Sequence, residues 1–509
     1  MFSHISKSAG VIFLFLAIIL IAACHRYDDS NPPVSNFKDY KFEEPKISGN
    51  TFYADPLNGS PNGDGSSENP WRTLQEVIDS NLIAYFKHSE NYNPESEWVP
   101  VNENAPVKGG DRIILRNGHH GYIHKSAFMF KEWLTIEAEK GHTPVFSQIK
   151  LDGAFKKIYL KNLTIIKEHF SGTGNYWETE TLNRNDGSCL ALRSNDFWGK
   201  GSYVKANGLV IRTAEDISSW TAQNWVDKSA TGISLRSAEH IEIINCDIEN
   251  VRHGITIEYF SDNSAVVNNK IKNYCGDGSR IISNDVFFAY NTITDCFKVD
   301  DNHDDAIQSY SRGADNSAGT GTIKNVVIRG NFIIGTTDFS NSLAGNPQGI
   351  GCFDGMFDNW TIENNVVVTD HYHGISFYGF TNSDIVNNTV IDQIADNPTS
   401  PWIRISPHKN GTSSANCRVA NNIVFNAVSI EGNNISEGTN YVIGRDNYSL
   451  VYELFIDPDN FDFHLSNNNV TQTHIVNQGE VITRLVSSEI DKDNRARDGN
   501  PDLGAYEYQ

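Results

Sequence analysis

Short apolar runs separated by polar turns dominate the chain from about residue 50 to residue 445. Two units recur in this region. The first is Asn, any residue, then Ile or Val, and it starts at Asn269, Asn291, Asn331, Asn365, Asn388 and Asn422. The second is a small residue followed by an apolar/polar alternation around Ile, and it starts at positions 231, 253, 277, 305, 348, 373 and 402. This alternation predicts β-strands.

The spacing of the two units predicts a solenoid. The base interval is 22–24 residues, and longer intervals indicate insertions at certain corners. One repeat is then one coil of a parallel β-helix, whose inward Ile and Val side chains bury against the coils above and below. The asparagines have a structural explanation, because Asn tolerates left-handed backbone at a corner and stacked amides can hydrogen-bond to each other.

Strand alternation places three columns of side chains on the outer face of the second unit. The first column reads Thr231, His253, Asp277, Asp305, Gln348, His373 and Trp402; the second reads Ser234, Thr256, Arg280, Gln308, Gly351, Ser376 and Arg404; the third reads Arg236, Glu258, Ile282, Tyr310, Phe353, Tyr378 and Ser406. Acids, imidazoles, tyrosines and arginines gather over four or five coils, about 15–20 Å at the spacing of β-strands. We expect a groove here, walled by the insertions 311–322 and 336–347.

The chain ends predict additional segments. An amphipathic helix from about Trp71 caps the β-helix of residues 49–445, and residues 446–509 form a C-terminal extension that packs on it. Lys7, the apolar run from Val11 to Ala23 and small residues before Cys24 predict a signal peptide over residues 1–23. These last residues resemble a bacterial lipobox, with Cys24 as the lipidated residue, residues 24–48 as a tether and the outer membrane as the location. The alternative is an ordinary signal peptide.

Charge and cysteine content narrow the function. The net charge of −22 argues against nucleic acid and anionic bilayers, although a local basic pocket can still bind an acidic ligand. We expect a monomer that meets the membrane only through its lipid. The six cysteines after Cys24 contain no CxxC pair, and their apolar surroundings favour core filling over the disulfides that export would permit.

The whole pattern resembles right-handed parallel β-helix proteins, the fold of pectate lyases, other polysaccharide lyases and several glycoside hydrolases. The segments from Tyr53 to Glu76 and from Asp491 to Tyr508 are similar to secreted Bacteroidetes β-helix lipoproteins. The stretch from Asp300 to Gly379 looks most like lyase-type enzymes acting on uronate saccharides, including dehydratases of ulvan breakdown. The resemblance implies an all-β, right-handed parallel β-helix and an acidic oligosaccharide or polysaccharide substrate.

A carbon–oxygen lyase on a uronic acid must neutralise the C6 carboxylate, remove the C5 proton and protonate the leaving O4. His373, Tyr310, Tyr378, Arg404 and His303 are the candidate catalytic residues. The candidate substrate-binding residues are Arg280, Gln308, Gln348, Trp402, His408, Lys409 and His253. Loss of a sugar from O4 would cleave the chain, and loss of water would be a dehydration; the residues leave this choice open.

The acidic run Asp300, Asp301, Asp304 and Asp305 is a candidate Ca²⁺ site, because Ca²⁺ prefers several carboxylate oxygens. The alternatives are a solvated corner loop, or carboxylates that orient His303 or His373. A glycoside hydrolase is the second functional hypothesis, since Asp304-Asp305, His373-Gly374 and Arg404 to Lys409 follow the order seen in β-helix polygalacturonases, at different intervals. A non-catalytic glycan-binding lipoprotein is the third.

Overall fold

The computed structural model describes residues 40–90, 93–167, 187–195 and 197–509. Over these residues the chain winds as a right-handed parallel β-helix, which confirms the predicted fold class. Each coil contributes one strand to each of three sheets in turn. The predicted signal peptide, Cys24 and residues 24–39 of the predicted tether lie outside the described residues.

The first sheet is built from the second sequence unit, and the third sheet from the asparagine unit. The first sheet contains Ser188–Arg193, Thr231–Arg236, Ile255–Ile257, Ser279–Ile281, Asp305–Tyr310, Gln348–Asp354, His373–Tyr378, Trp402–Ser406 and Val428–Ile430. The second contains Thr51–Ala54, Arg112–Leu115, Gly201–Asn207, Ala238–Ile244, Ser264–Val267, Val286–Ala289, Thr322–Arg329, Met356–Glu363, Phe380–Thr381, Asp384–Val386, Arg418–Ala420 and Ser436–Glu437. Two long strands, Tyr122–Ala138 and Gln148–Lys161, continue through both sheets.

The third sheet closes each coil. It contains Gly118–His119, Pro144–Phe146, Thr164–Ile166, Val210–Arg212, Asp247–Val251, Lys270–Tyr274, Thr292–Cys296, Phe332–Ile334, Val366–Val368, Thr389–Ile391, Ile423–Val424 and Tyr441–Val442. Outside the coils lie the antiparallel pairs Tyr85–His88 with Trp98–Val101 and Phe455–Asp457 with Asp462–Leu465. The helices are Leu74–Asp79, Ala222–Lys228, Ser449–Leu454 and Asn469–His474, with 3-10 turns at Arg445–Asn447, Pro458–Asn460 and Val486–Ser488.

Aligned Ile and Val side chains fill the interior. On the first sheet Ile350, Ile375 and Ile403 are successive partners, and all three are fully buried. The small residue before Ile is required at the corner, since a Cβ at Gly254 would lie 2.4 Å from the carbonyl oxygen of Gly278. The close approach of coils therefore explains why glycine recurs in this unit.

The recurring asparagines form a buried ladder along the β-helix. The side-chain amide of Asn269 donates to Asn291 Oδ1 at 2.9 Å, and the same bond repeats from each coil to the next as far as Asn440. The predicted amide stacking is confirmed. The left-handed backbone, however, belongs to the preceding residue, for example Asn268 (φ 57°) and Asn364 (φ 56°), so the two roles fall on neighbouring positions.

At the N-terminal end the helix begins later than predicted. Trp71 forms an extended bridge with Ala54, and the helix starts at Leu74, where Thr73 Oγ1 accepts the amide of Glu76 at 3.1 Å. Residues 40–48 of the predicted tether lie against the second sheet: the Tyr40 hydroxyl donates to Glu242 at 2.6 Å, and Lys205 donates to the Glu43 carbonyl oxygen.

The segment after residue 445 covers the outer face of the third sheet. Val451, Phe455 and Tyr506 join one buried cluster with strand residues such as Val366 and Ile391. Within the run from Asp491 to Tyr508, the Arg497 side chain is fully buried and binds Glu507 at 2.8 Å. It also donates to the carbonyl oxygen of Gly504 at 3.0 Å, so this motif holds the extension together.

The six cysteines Cys189, Cys246, Cys275, Cys296, Cys352 and Cys417 are buried and unpaired, which confirms the core-filling interpretation. Among the described residues, every helix is too short or too polar to cross a bilayer.

Candidate functional site

One outward column runs along the whole first sheet, and we call it the central lane. In order it contains His124, Lys150, Ala191, Ser234, Thr256, Arg280, Gln308, Gly351, Ser376, Arg404 and Ser429. The stretch from Ser234 to Arg404 agrees with the second predicted column at every position. Its residues are partners across successive parallel strands about 4.8 Å apart.

The other two columns are only partly confirmed. Asp305 partners Gln348, and His373 partners Trp402, as predicted for the first column. The third column breaks at Tyr310, which pairs with Asp354 because the register shifts after Ser309. Ile282, placed outside in that column, is buried instead.

Arg404 is the centre of a first group, the Arg404 cluster, which also contains His373, Ser376, Tyr378 and Trp402. Arg404 Nε donates to Ser406 Oγ at 2.8 Å, and the guanidinium carbon lies 5.5 Å from the Trp402 ring centroid and 6.0 Å from that of Tyr378. None of the carboxylates that the structure describes forms an ion pair with this guanidinium. Its terminal N–H groups therefore remain available for an anion.

His373 is 8% exposed and is surrounded by aromatic residues. The centroid of its ring lies 4.6 Å from that of Phe353 and 4.3 Å from that of Tyr372. Trp402 Nε1 donates to Ser376 Oγ at 3.3 Å, and Ser376 Oγ lies 2.8 Å from His373 Nδ1. In this series of hydrogen bonds His373 Nδ1 is the acceptor, so the ring proton of His373 is assigned to Nε2. Burial lowers the pKa of His373 to about 3, so the imidazole is neutral at pH 7 and a weak base.

Arg280 is the centre of a second group, the Arg280 cluster, which also contains Asp277, Asp305, Gln308 and Tyr310. Arg280 Nε is ion-paired with Asp277, whose carboxylate is fully buried and also accepts the Asp305 amide at 3.1 Å. His253 Nδ1 accepts the Asp277 amide at 2.8 Å. The cation of Arg280 is thus already matched by an internal carboxylate.

Tyr310 lies at the edge of the Arg280 cluster. Its hydroxyl accepts a hydrogen bond from Tyr259 at 3.3 Å, and the Arg312 guanidinium lies 4.7 Å from the Tyr259 ring centroid. The lane places Arg280 four strands from Arg404, about 19 Å. The predicted catalytic set is therefore divided: His373, Tyr378 and Arg404 lie together, whereas Tyr310 belongs to the other cluster.

Asp305 and Gln348 place two oxygens beside Gly351 of the central lane. Asp305 is 1% exposed and its Oδ2 accepts from Gln308 at 2.9 Å, while Asp305 Oδ1 and Gln348 Oε1 are buried without hydrogen-bond partners among the described residues. Both oxygens lie within 2.8 Å of the point that a Cβ of Gly351 would occupy. Burial and the Asp277 carboxylate raise the pKa of Asp305 well above its ordinary value.

The acidic run does not assemble into a cation site. Asp300 binds Arg252 at 2.7 Å, and Asp304 accepts from Asn302 at 3.0 Å with Lys298 at 3.4 Å. Asp301 is exposed, and Asp305 turns into the lane. In the described part of the chain no three His, Cys, Asp or Glu side chains converge as metal ligands. Asp300, Asp304 and Asp305 therefore have separate partners, and the Ca²⁺ site stays a prediction.

The remaining predicted residues lie at the margins. Lys409 is ion-paired with Asp354 at 2.7 Å, and His408 is buried with its Nδ1 accepting the Asn410 amide at 3.2 Å. His303 is exposed and lies close enough to His371 to lower the pKa of His371 electrostatically, although burial is the larger cause.

Sequence reasoning missed three aromatic residues of the face. The His371 ring stacks on Tyr372 at 4.2 Å and lies 5.5 Å from His373. Tyr372 also meets Trp402 edge-on at 5.1 Å, and Tyr259 bonds to Tyr310. These three residues lie just outside strands, where the alternation of inward and outward side chains cannot predict which way a side chain points. The only signal was the clustering of His371, Tyr372 and His373 in the sequence.

Comparison with known proteins found similarity to solved structures alone. No family model and no curated protein sequence matches the chain. Pectate lyase Pel9A has a TM-score of 0.45 at 14% identity, with 91% of this chain and 98% of that chain covered. A rhamnogalacturonan lyase gives 0.40 at 12% identity, covering 76% and 87%, and a lacto-N-biosidase from Eubacterium ramulus gives 0.41 at 13%, covering 77% and 68%. These values are too low to bear on function.

The fold and the site together define a class. The chain is a right-handed parallel β-helix protein with two arginines on a single outward lane, of which Arg280 is ion-paired and Arg404 has no ion pair among the described residues. Tyrosine, tryptophan and a neutral histidine surround the unpaired guanidinium.

Proposed function

We propose that the protein is a carbon–oxygen lyase acting on a uronic-acid-containing oligosaccharide or polysaccharide. One observation supports this function above the others: the Arg404 guanidinium has free N–H groups beside Tyr378, Trp402 and a neutral His373. A guanidinium matches the planar, bidentate geometry of a sugar carboxylate. Aromatic rings beside it can stack on pyranose faces.

The proposed reaction is a β-elimination. Arg404 binds the C6 carboxylate and stabilises the negative charge that develops when the C5 proton leaves. Tyr378 acts as its phenolate and removes the C5 proton, because its ring lies next to Arg404 and His373 is too weak a base. The electron pair of the C5–H bond forms the C4–C5 double bond, the C4–O4 bond breaks, and the Tyr378 hydroxyl returns the proton to the leaving O4. His373 positions the substrate by donating from Nε2.

The glycoside hydrolase hypothesis has less support. Hydrolysis requires two carboxyl groups facing the scissile bond. On this face Asp277 and Asp305 are buried, and Asp354 is ion-paired with Lys409. The geometry favours elimination, which needs a free cation more than a pair of carboxylates.

The finer features are part of the proposal. The substrate is ulvan-like, and the reaction is either chain cleavage or loss of water at the non-reducing end. The protein acts as an exported monomer, anchored to the outer membrane by a lipid on Cys24. The proposed reaction does not use Ca²⁺, because the His, Cys, Asp and Glu side chains in the described part of the chain form no group of three that could hold a metal ion.

Mass spectrometry and ultraviolet absorbance on uronate oligosaccharides test the function. A lyase conserves the summed mass of the products, a dehydratase removes one water without shortening the chain, and a hydrolase adds one water. Both eliminations create a double bond conjugated to the carboxylate, which absorbs in the ultraviolet. Turnover with an added water and no new absorbance would overturn the proposal.

A further inference from the structure

Arg312 is an exposed cation at the edge of the first sheet, in the turn that follows strand Asp305–Tyr310. Its guanidinium carbon lies 4.7 Å from the Tyr259 ring centroid. Within the described residues its side chain forms one hydrogen bond, to Asn316 Oδ1 at 3.3 Å in the same turn. None of the carboxylates that the structure describes forms an ion pair with it. Most of its N–H donors are therefore free for an acceptor that the protein does not supply.

Two other cations on the same edge of the sheet are already neutralised. Arg236, which lies beside the same tyrosine ring, is ion-paired with Glu258. Lys409 is ion-paired with Asp354 at 2.7 Å. Arg312 differs from both, because no carboxylate in the described part of the chain matches its charge. A guanidinium with unfilled donors binds carboxylates and other oxyanions through charge-assisted hydrogen bonds.

The tyrosine pair beside Arg312 supplies a second donor. The Tyr259 hydroxyl donates to the Tyr310 hydroxyl at 3.3 Å, so this bond uses the proton of Tyr259. Burial and the hydrogen bond to Tyr310 raise the pKa of Tyr259, which therefore keeps its proton at pH 7. The proton of Tyr310 has no acceptor among the described residues. Because Arg312 and Tyr310 both contact Tyr259, an anion bound to the guanidinium can also accept the Tyr310 proton in a hydrogen bond.

The turn that carries Arg312 is fixed by its own hydrogen bonds. Thr320 Oγ1 donates to Asp315 Oδ1 at 2.6 Å across the turn. The Ser311 amide donates to the carbonyl oxygen of Asp354 at 2.8 Å, which joins the turn to the next coil. The backbone that carries the cation is therefore ordered before a ligand binds, and this lowers the entropic cost of binding.

Arg312 and Arg404 lie along the same sheet, at a distance that suits two groups of one saccharide. The strand that ends at Tyr310 and the strand that contains Arg404 are three steps apart, about 14 Å at the parallel-strand spacing. This separation corresponds to a few sugar units. A disaccharide bound at Arg404 therefore does not reach Arg312, whereas a longer chain does.

We propose that Arg312 and Tyr310 form a second anion-binding subsite for the substrate, which rests on the function proposed above. The subsite takes a carboxylate or a sulfate ester on a sugar unit that lies a few positions from the unit reacting at Arg404. The substrate is then a saccharide with anionic groups on more than one unit, and its affinity increases once the chain is long enough to reach both arginines.

The test compares Arg312→Gln and Tyr310→Phe in the full chain with Lys324→Gln as the matched control. The Lys324 side chain is 57% exposed on the second sheet, and its replacement changes the net charge by the same amount. The ligands are polyuronate oligomers of two and eight units, and neutral oligomers of the same two lengths that carry sulfate esters. Titration calorimetry gives Kd, and initial rates on the polyuronates give KM and kcat.

We expect Arg312→Gln to weaken binding of an eight-unit oligomer about tenfold and to raise its KM, because charge-assisted hydrogen bonds are lost. Tyr310→Phe should have a smaller effect in the same direction. The kcat of both variants, their Kd for the two-unit oligomers and every value of the control should match wild type. The eight-unit ligand that loses affinity, polyuronate or sulfated, identifies the anion as a carboxylate or a sulfate.

Wild-type binding of both eight-unit ligands by Arg312→Gln would overturn the subsite. An equal loss of affinity in Lys324→Gln would also overturn it, because the effect would then follow from net charge alone. Affinity that depends on chain length and on Arg312, without turnover of any oligomer, would leave the subsite standing and overturn the lyase function instead.

Discussion

The two arginine clusters differ in one respect that decides their roles. Arg280 and Arg404 occupy the same lane, four strands apart, with the same register to their neighbours. Arg280 is ion-paired with the buried Asp277, whereas Arg404 contacts Ser406 and two aromatic rings. The first cation therefore stabilises the fold, and the second is available to a ligand. Position on the scaffold does not by itself make an arginine functional.

The difference arises from the corner residue that precedes each arginine. Asp277 stands three positions before Arg280 and places a carboxylate under the guanidinium. Trp402, and His373 one coil earlier, lie on the side of Arg404 that corresponds to the position of Asp277 beside Arg280. Neither provides a negative charge, because burial lowers the pKa of His373 to about 3 and keeps its imidazole neutral. The comparison therefore predicts that changes at Arg404 affect turnover and that changes at Arg280 affect stability.

The largest effect is expected from Arg404→Ala. Removing the only group proposed to neutralise the substrate carboxylate should lower kcat/KM on a uronate oligosaccharide about 10³-fold. The unfolding midpoint in urea should hardly change, because this guanidinium forms no ion pair with any carboxylate that the structure describes. Wild-type kcat/KM in this variant would remove Arg404 from the site.

The next effect concerns stability. Arg280→Met leaves Asp277 buried without its partner and should lower the free energy of unfolding by about 3–5 kcal/mol. Adding Asp277→Asn removes the charge and should restore most of the loss. Urea denaturation of the single and double variants measures both values. Equal stability of Arg280→Met and wild type would mean that the pair contributes nothing.

A smaller effect separates the two tyrosines. Tyr378→Phe should lower kcat about 10²-fold, because it removes the proposed proton-transfer group without changing packing. Tyr310→Phe is the matched control, since Tyr310 bonds to Tyr259 in the other cluster. We expect its kcat within about threefold of wild type. The reverse order of the two variants would assign the chemistry to the Arg280 cluster.

The smallest effect is a change in pH dependence at Asp305. Its folded pKa lies above the ordinary 3.8, so the native state binds more protons than the unfolded state between these two values. The stability contributed by the protonated group is present below pH 3.8 and is lost as pH rises through the folded pKa. Asp305→Asn should therefore gain stability relative to wild type as pH rises above 3.8. Parallel pH profiles of the two proteins would show that Asp305 is charged in the native state.

The coil and the central lane could be predicted from the sequence because both follow from repetition. A 22–24-residue period fixes which residues share a column, and two-residue alternation fixes the face. The stacked amides of Asn291 and Asn331 could be predicted for the same reason.

The pairing of charges could not be predicted in this way. Asp300, Asp304 and Asp305 lie within six positions of one another, but their side chains point in different directions at a corner of the coil. Asp300 binds Arg252, Asp304 accepts a hydrogen bond from Asn302, and Asp305 accepts one from Gln308. The direction of a side chain at a corner depends on the local backbone conformation, and the repeat length of the sequence does not predict that conformation. The register shift after Ser309 displaced Tyr310 from its predicted column for the same reason.

Binding of a matched pair of ligands tests the central difference most directly. The ligands are a uronate oligosaccharide and the same compound with its carboxyl groups reduced, and the proteins are wild type, Arg404→Gln and the double variant Asp277→Asn/Arg280→Gln. We predict that wild type and the double variant prefer the uronate at least tenfold in Kd, and that Arg404→Gln loses this preference. A preference kept in Arg404→Gln but lost in the double variant would contradict the assignment of Arg404 as the carboxylate receptor.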